Sequence, residues 1–370
     1  MKEKLSFALS SVRESSAHQF RRVLYVGENE TATLQPLSEL FRHACISTFV
    51  RDIEELKQAS PGEVCFDLII FNHSVFSQID LLLKIFKYRY IVVFGNDTFF
   101  NVAEINATFH QIESDIFVYK SKVKYFDIFM PIGPNDYCIA GPSVINKYQH
   151  LNGIREIFYC ATQPLDIKAT YVAESDYPFS KEAAIAQFGL DHNRFGWYYQ
   201  QLKQLYLYIA QPFVLNNYIT MCADVFFNKE LLFFEGDTPI YTYGHELPHA
   251  NYFQHMRRLH PQLRCFDGRS AISHHSIFNR QVLLDLFCEV KSFTGKEFWD
   301  AFLCNVDPHQ RLHSGAAEYE IYFNFMRLKE LNIITRDPNY LDVGDFNLGL
   351  NSDCDYFAYH WYMRTDQVIN

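Results

Sequence analysis

The stretch NNYITMCADVFFNKELLFF, residues 216–234, decides the fold of the larger part of this chain. Its apolar run from Tyr218 to Ala223 ends on one carboxylate, Asp224, and the sequence then becomes apolar again. This pattern predicts a buried strand that delivers a charge to the edge of a sheet. Open α/β sheets bind ligands there, outside the carboxyl ends of their strands. Because an isolated buried charge is costly, we expect Asp224 to hold a metal or a charged partner; the alternative is an acid that begins an ordinary loop.

Composition and charge narrow the class of protein. A length of 370 residues predicts two domains, and 48% apolar residues are enough for a large core. The net charge of −10 argues against nucleic acid as a partner, because that binding depends on Lys and Arg. Nine cysteines without a C-x-x-C pair are typical of a reducing cytoplasm. With no signal-peptide pattern at residues 1–22 and no apolar run of about 20 residues, we expect a cytoplasmic protein with no transmembrane segment.

Residues 1–122 are predicted to form a small doubly wound α/β domain with a parallel sheet. Short apolar runs at 21–27, 66–74 and 90–96 alternate with segments of helical spacing at 34–44 and 81–88. This rhythm is similar to that of receiver and flavodoxin-type domains. Asn72 and His73 end the second run, where a receiver needs acids, and one glycine, Gly27, follows the first run, where a dinucleotide fingerprint needs three. We interpret this domain as an accessory module that ends in the basic run 119–125.

A second α/β series is predicted from residue 123 to residue 370. Its predicted elements are strands that begin at 126, 155 and 169, a helix over 194–209, the strand before Asp224 and a helix over 313–332. In the first of these helices, Tyr198, Leu202, Leu205 and Ile209 form one apolar stripe.

Two segments of this series predict contacts with an anionic ligand. In MPIGPND (130–136) two prolines stiffen the loop after a strand, and the glycine lets a ligand approach the backbone; a plain turn is the alternative. On the helix that begins at Arg194, Arg194 and Lys203 suit a diphosphate. Gln200 or Gln201 suits sugar hydroxyls, unless this is simply a solvated helix face.

The segment HELPH (245–249) matches the H-E-x-x-H pattern of zinc proteases. That chemistry needs both histidines on one helix face, and Pro248 disfavours a helix there. We therefore expect His249 and Tyr252, together with the pair His274 and His275, to line a polar pocket, although each could be an ordinary structural residue.

Three residues near the end of the chain are candidates for chemistry. Glu318, near the start of a predicted helix, is a candidate general base or a simple complement to the helix dipole. Glu320 lies about 200° further around that helix, so the two carboxylates cannot enter one pocket. His360 lies in the aromatic run DYFAYHWYMR (355–364), where a metal is one possible partner.

The order of these segments resembles that of a family of GT-A-type glycosyltransferases of bacteria and large viruses. The resemblance covers about residues 125–365 and leaves the N-terminal domain out. It rests on FDIFMPIGPND, AESDYPF, RFGWYYQQLKQLY, NNYITMCADVFF, HELPHANYFQHMRRLHP, SAISHHSIF, KEFWDAFL, SGAAEYEIYFNF and YFAYHWY, which occur in the family's order.

The resemblance implies a GT-A-like domain that binds a nucleotide-sugar donor of UDP or GDP type and a divalent metal, Mn²⁺ or Mg²⁺. In the family an acidic triplet, Asp-x-Asp, holds the metal. Here the triplet is Cys222-Ala223-Asp224, so one acid remains, and Asp224 with His360 are the implied metal ligands. The implied donor-binding residues are Pro131, Gly133, Asp136, Arg194, Trp197, Gln200, Gln201, Lys203, Ala223 and Asp224. The implied acceptor-binding residues are His249, Tyr252, His274 and His275.

The sequence thus predicts a hexosyl- or pentosyltransferase that moves a sugar to a glycan or glycoconjugate, as in polysaccharide biosynthesis. Glu318 is the predicted base, with Glu320 in reserve, and inversion of the anomeric centre is favoured over retention. Two alternatives stay open. Cys222 in place of an acid suggests an inactive homologue that serves as a binding or scaffold protein, and the histidine cluster suggests a metal hydrolase.

Overall fold

The computed structural model describes six strands between residues 22 and 121, and then residues 123–189 and 194–365. The chain divides into two compact units, residues 1–125 and 126–370. This division lies close to the domain boundary predicted at residue 122.

The N-terminal unit contains one six-stranded sheet. Its strands are β1 (Arg22–Val26), β2 (Cys45–Phe49), β3 (Cys65–Phe71), β4 (Lys87–Phe94), β5 (Ala107–Glu113) and β6 (Ile116–Ser121). The strand order is β2-β1-β3-β4-β6-β5, in which the first four strands are parallel. That order of the parallel strands is the one found in flavodoxin-type sheets.

Two predictions for this unit need correction. The sheet is mixed, because β6 runs antiparallel to both β4 and β5, and the run 119–121, predicted as linker, belongs to β6. Lys87 and Tyr88, predicted to end a helix, begin β4. The charge of the run 119–121 suggested a linker, but the alternation in IFVYKS suits a strand, and this explains why the run was assigned wrongly. The predicted helix 34–44, the rest of the helix 81–88, and Gly27, Asn72 and His73 lie outside the described residues.

The C-terminal unit is a mixed α/β fold. Its described strands are β7 (Phe126–Pro131), β8 (Ile154–Cys160), β9 (Thr170–Tyr171), β10 (Asn217–Met221), β11 (Val225–Phe227), β12 (Phe234–Glu235), β13 (Thr238–Thr242), β14 (His275–Asn279), β15 (Ile334–Arg336), β16 (Tyr340–Val343) and β17 (Tyr356–Tyr359). Its described helices are α1 (Tyr137–His150), α2 (Lys181–Phe188), α3 (Phe195–Leu205), α4 (Leu207–Ala210), α5 (Ala250–Leu259), α6 (Arg280–Thr294), α7 (Phe298–Cys304), α8 (Glu318–Leu328) and α9 (Phe346–Leu350). The predicted α/β class is confirmed.

The main sheet of this unit has the order β14-β10-β7-β8-β9, and only β14 is antiparallel to its neighbour. The chain builds from β7 outward to β9 on one side and then returns to place β10 on the other side of β7. The carboxyl ends of β7 and β10 therefore form a topological switch point, where open α/β sheets bind ligands.

A buried ion pair fixes the opposite end of these strands. The carboxylate of Asp127 in β7 accepts hydrogen bonds from Arg155 in β8 at 2.8 and 2.6 Å, and one from the backbone N–H of Leu215 at 2.7 Å. The pair links β7, β8 and the segment that leads into β10, which sets the positions of the strand ends at the site.

Two small sheets complete the unit. One has the order β11-β17-β16 and the other β12-β13-β15. In the first, β17 is antiparallel to β11 and parallel to β16. This sheet brings the end of the chain to the carboxyl edge of the main sheet.

Local predictions failed at one strand and two helices of this unit. The strand that begins at 169 stops at Tyr171, because residues 174–176 turn and the Asp176 carboxylate accepts the backbone N–H of Ala173. The helix 194–209 breaks at Tyr206, whose ring packs on Phe287, and Ile209 is 39% exposed rather than part of the stripe.

The third failure concerns the start of α8, which begins at Glu318 and not near Ser314. Ala317 is the residue before the helix, and the Ser314 hydroxyl, three residues earlier, accepts a hydrogen bond from Arg194 at 2.7 Å. Among the described residues, no helix has both the length and the apolar character needed to cross a membrane.

Candidate functional site

The candidate site lies at the switch point of the main sheet. The loop after β7 carries Asp136, and Asp224 follows β10. Ala358 in β17 pairs with Val225 in β11, and the next residue, Tyr359, donates its backbone N–H to the Asp224 carbonyl at 2.8 Å. This register places the residue after β17, His360, beside the Asp224 side chain.

Four side chains form a continuous polar cluster here. His360 contacts the Asp224 carboxylate through Nδ1 at 2.9 Å and the Asp342 carboxylate through Nε2 at 3.0 Å. Nε2 of His274 lies 2.7 Å from the same Asp342 oxygen. Asp342 lies in β16 and was not a predicted site residue.

The cluster holds opposite charges close together. Burial alone would lower the pKa of His360, but its hydrogen bonds with Asp224 and Asp342 outweigh that effect and raise the pKa to about 9. Burial would raise the pKa of the Asp342 carboxyl, yet the two neighbouring histidines hold it well below its usual range. At neutral pH an imidazolium therefore lies between two carboxylates.

The same cluster fits a divalent metal. One ligand atom each from His274, Asp342 and His360 lie within 4.8 Å of one another. Imidazole nitrogens and a carboxylate oxygen are ligands that Mn²⁺ and Zn²⁺ accept. The predicted ligands, Asp224 and His360, are in direct contact, and one Asp224 oxygen, Oδ1, is buried without a hydrogen-bond partner among the described residues.

Cys222 and Lys147 lie next to this cluster. Burial raises the pKa of the Cys222 thiol well above its usual range, and the charges of Asp224, Glu318 and Asp136 raise it further. The Lys147 ammonium is fully buried and donates to Ser143 Oγ at 2.6 Å and to the Val225 carbonyl at 2.9 Å. Burial lowers the pKa of Lys147 to about 7. The thiol thus stays neutral where the family pattern has an acid.

Glu318, the predicted base, begins α8 in a buried position. Its carboxylate accepts a hydrogen bond from Gln204 at 3.0 Å, and the other atom of that amide, Oε1, accepts hydrogen bonds from Tyr319 and Thr220. Burial raises the pKa of Glu318 to about 8, although the hydrogen bonds it accepts favour the charged form. A carboxyl group with a pKa near neutrality is suited to general acid–base chemistry.

Glu320 points elsewhere, as the helix geometry predicts. Its carboxylate accepts hydrogen bonds from Ser270 Oγ and the Ala271 backbone N–H, both at 3.0 Å, and from Asn324 at 3.1 Å. These partners hold the loop before β14 on α8. The structure therefore separates the reserve base from Glu318.

The predicted donor-binding residues fall into separate groups. Asp224 belongs to the cluster, Ala223 precedes it in the chain and Asp136 adjoins it, and the Asp136 carboxylate is paired with Arg364 at 2.6 Å. Pro131 is the last residue of β7, and Gly133 is exposed in the loop that follows. A Cβ atom on Gly133 would meet nothing within 4 Å, so open space lies beside this loop.

The donor candidates in α3 and just before it, at Arg194, have different partners. The Arg194 guanidinium lies 4.0 Å from the Trp197 ring centre, and it donates to Ser314 and to the carbonyl of His313. Lys203 pairs with Glu174 at 2.9 Å. Gln201 accepts the backbone N–H of Glu318 at 3.0 Å and so caps α8, and Gln200 is half-buried.

The predicted acceptor-binding residues divide in the same way. His274 belongs to the polar cluster, but His275 begins β14 and is buried against Phe233 and Tyr356. His249 packs on the Tyr252 ring with centres 5.2 Å apart. Burial raises the pKa of the Tyr252 hydroxyl, whereas its hydrogen bond with Ser314 lowers that pKa.

The HELPH segment is not helical. Helix α5 begins at Ala250, after both histidines, as the position of Pro248 predicts. His245 contacts the Tyr340 carbonyl at 3.2 Å, whereas His249 is exposed and lies 3.5 Å from Glu246. This geometry differs from the two-histidine helix of zinc proteases.

Comparisons with known proteins give no family. No family model matches the chain, and no curated protein is significantly similar in sequence. Among solved structures, mouse xyloside xylosyltransferase 1 in its apo form is similar with a TM-score of 0.35 and 6% identity, over 66% of this chain and 100% of that one. A release-factor-specific protein-(glutamine-N5) methyltransferase from Alicyclobacillus acidocaldarius has a TM-score of 0.21 and 11% identity, over 33% of this chain and 93% of that one. At TM-scores this low, neither similarity supports a conclusion about this chain.

Sequence reasoning missed Asp342, Gln204 and Arg364. Asp342 lies in the short strand β16, which carries no motif, and Arg364 is the last residue of the run DYFAYHWYMR, in which His360 was the candidate. Gln204 lies one residue beyond Lys203, the last of the residues there that were predicted to bind the donor. Only its position opposite Thr220 and Glu318 shows that it orients the candidate base.

Proposed function

We propose that the C-terminal unit is a metal-dependent glycosyltransferase that moves a hexosyl or pentosyl group from a nucleotide-sugar donor to a glycan or glycoconjugate. The observation that carries the proposal is the contact between Asp224 and His360 at the switch point of the main sheet. These are the two residues that the resemblance to GT-A-type transferases assigns to the metal. Assembly of surface polysaccharide or glycoprotein glycans is the setting that this reaction suits.

The chemistry requires stabilisation of a departing nucleoside diphosphate. A bound divalent cation would supply positive charge to the phosphate oxygens. The carboxylates and imidazoles around His360 would hold that cation, and Asp136 and Gly133 lie on the adjacent loop where a donor would enter. Two basic groups, Arg194 just before α3 and Lys203 within it, are candidates for further contacts with phosphate.

The acceptor hydroxyl must lose a proton as it attacks. Glu318 is the candidate base, because burial gives its carboxyl a pKa of about 8 and Gln204 fixes its orientation. A single base of this kind is what inversion of the anomeric centre requires, by the geometry that also governs inverting glycosidases. His249 and Tyr252, beside the same region, are candidates to bind a sugar ring through its apolar face and its hydroxyls.

An inactive binding protein is the second candidate, and a specific observation favours it. Cys222 replaces the first acid, and its thiol remains neutral at physiological pH. The chain therefore has one negative charge fewer for a metal–diphosphate complex than the family pattern provides.

A screen of nucleotide-sugar donors distinguishes the transferase from the inactive binding protein. The purified chain is incubated with Mn²⁺ and a panel of UDP- and GDP-sugars, and release of nucleoside diphosphate is measured. We expect release from at least one donor, and loss of that release in Asp224→Ala without a change in the circular dichroism spectrum.

Three other outcomes would contradict parts of the proposal. Nucleotide binding by calorimetry without any release would favour the binding protein. Absence of binding to every common nucleotide would exclude the transferase, and full activity of Asp224→Ala would show that this residue does not serve the metal.

A further inference from the structure

We propose that the metal centre of this chain is formed by His274, Asp342 and His360, and that Asp224 is a positioning residue that holds His360 rather than a metal ligand. The inference deepens the proposed function, since it concerns the metal site of the same crevice. It differs from the ligand pair that the family resemblance implies, and it can be tested by metal binding alone.

The spacing of the three ligand atoms matches a common ion. Nε2 of His274 and Nε2 of His360 lie 2.7 and 3.0 Å from one Asp342 oxygen. Neighbouring ligands around an octahedral ion with bonds of ~2.1 Å are about 3 Å apart. Small shifts of these side chains would therefore admit an ion between them, and three protein ligands leave positions for substrate oxygens.

Accessibility also favours Asp342 over Asp224 as the carboxylate ligand. The Asp342 side chain is 47% exposed, whereas the Asp224 side chain is 9% exposed and its free oxygen is buried. An ion that assists a transferase must contact the diphosphate of a donor in the crevice. The exposed carboxylate of Asp342 can bind such an ion, whereas the buried carboxylate of Asp224 is less able to.

The two ring nitrogens of His360 assign the role of Asp224. Nδ1 faces Asp224 and Nε2 faces Asp342, so a metal bound at Nε2 leaves Nδ1–H to be donated to Asp224. Histidine ligands in metal sites usually donate their second nitrogen to a carboxylate or carbonyl, which fixes the ring and raises its basicity. Asp224 occupies that position.

The ligand set also predicts which metal is bound. Mg²⁺ prefers oxygen ligands and keeps several waters, whereas imidazole nitrogen suits transition metals such as Zn²⁺, and Mn²⁺ accepts carboxylate oxygen and bound water. Two imidazoles and one carboxylate therefore favour a transition metal. We expect bound Mn²⁺ to remain in place in a 100-fold excess of Mg²⁺, so Mg²⁺ would not be the resident ion.

The test is titration of the metal-free full chain with Mn²⁺, followed by electron paramagnetic resonance. The signal of free aqueous Mn²⁺ gives the affinity, and pulsed spectra give the nitrogen couplings of bound imidazoles. We expect one ion per chain with couplings from two histidines. His274→Gln should remove one coupling, and both His274→Gln and Asp342→Asn should weaken binding by more than ~100-fold. Asp224→Asn should keep both couplings and weaken binding by about 10–100-fold.

His260→Gln provides a matched control, because His260 also lies near a carboxylate, Glu289 at 3.6 Å, but outside the cluster. It should bind Mn²⁺ like the unmodified chain. Circular dichroism checks that each variant is folded. If His274→Gln does not fold, Asp342→Asn still tests the inference.

Two results would overturn the inference: wild-type affinity and unchanged couplings in His274→Gln, or failure of the unmodified chain to bind Mn²⁺ or Zn²⁺. The first would leave the proposed transferase intact with Asp224 and His360 as its ligands. Conversely, a two-histidine centre in a chain that releases no nucleotide from any donor would support the inference and exclude the proposed function.

Discussion

Asp342 and Glu318 are carboxyl groups of the C-terminal unit whose surroundings shift their pKa values in opposite directions. Two histidines lower the pKa of Asp342, whereas burial raises that of Glu318 to about 8. Pairs of acids whose environments separate their pKa values are how enzymes divide charge stabilisation from proton transfer. Cys222 fits this division, because its neutral thiol avoids a further negative charge beside Asp136, Asp224 and Glu318.

Glu318→Gln should remove the pH dependence of transfer on the basic side. Because the carboxyl of Glu318 loses its proton near pH 8, activity of the unmodified chain should rise with pH through that value. The variant should have a flat profile there and a kcat lower by ~10²–10⁴-fold. Initial rates of nucleoside diphosphate release from pH 6 to pH 9.5 measure both effects.

The same group should also affect stability. The folded state raises the pKa of Glu318 from 4.5 to about 8, so the protonated form stabilises the fold. This contribution is fully present below pH 4.5 and is lost as the pH rises through about 8. Urea unfolding should show a smaller loss of stability from pH 6 to pH 9 in Glu318→Gln than in the unmodified chain. Glu320→Gln is the control for activity, and a shifted rate profile in that variant would assign the base to Glu320.

At the scale of secondary structure, β17 assembles the site. It is hydrogen-bonded to β11, which follows Asp224, and to β16, which contains Asp342, and His360 follows its last residue. Asp342 pairs with Ala358 across β16 and β17. The three charged residues converge because one strand joins these two neighbours.

Gly349→Ala should disturb this arrangement from a distance. A Cβ atom at Gly349 in α9 would lie 2.4 Å from Cδ2 of Phe357 in β17, so the strand or the helix must move. Overpacking of this kind typically costs about 1–3 kcal/mol. We expect a lower urea midpoint and weaker Mn²⁺ binding, because His360 follows the displaced strand.

Gly196→Ala is the matched control for that experiment. Gly196 lies in the first turn of α3, and a Cβ atom there meets nothing within 4 Å. Since alanine favours helix over glycine by roughly 1 kcal/mol, this variant should be slightly more stable. Equal midpoints for the two variants would mean that α9 and β17 are not tightly packed.

At the scale of the whole molecule, the site belongs to one of the two units. Asp224, Glu318 and His360 all lie in residues 126–370, together with a continuous apolar core that extends from Phe126 to Ala358. The six-stranded sheet of the N-terminal unit contributes no residue to the cluster described above.

A fragment of residues 126–370 should therefore fold and bind Mn²⁺ alone. Its apolar core and its candidate metal ligands are all retained, so its affinity for Mn²⁺ should be close to that of the full chain. Circular dichroism and the Mn²⁺ titration measure this. An insoluble fragment, or one with much weaker metal binding, would show that the N-terminal unit supports the site.

The sequence determined the elements whose pattern is local. Continuous apolar runs predicted β1, β3 and β4 of the first unit and β7, β8 and β10 of the second, Pro248 excluded a helix at HELPH, and the 200° between Glu318 and Glu320 predicted their divergence. These features depend on residues close together in the chain, where periodicity and backbone chemistry decide the outcome.

The tertiary structure alone decided which charges meet. His360 contacts Asp224 across 136 residues and Asp342 across 18, and Gln204 contacts Glu318 across 114. Such contacts depend on strand register and on the path of the chain between sheets, for which no local pattern encodes a distance. Burial likewise sets the pKa of Glu318, because desolvation depends on the whole fold that surrounds the carboxyl group.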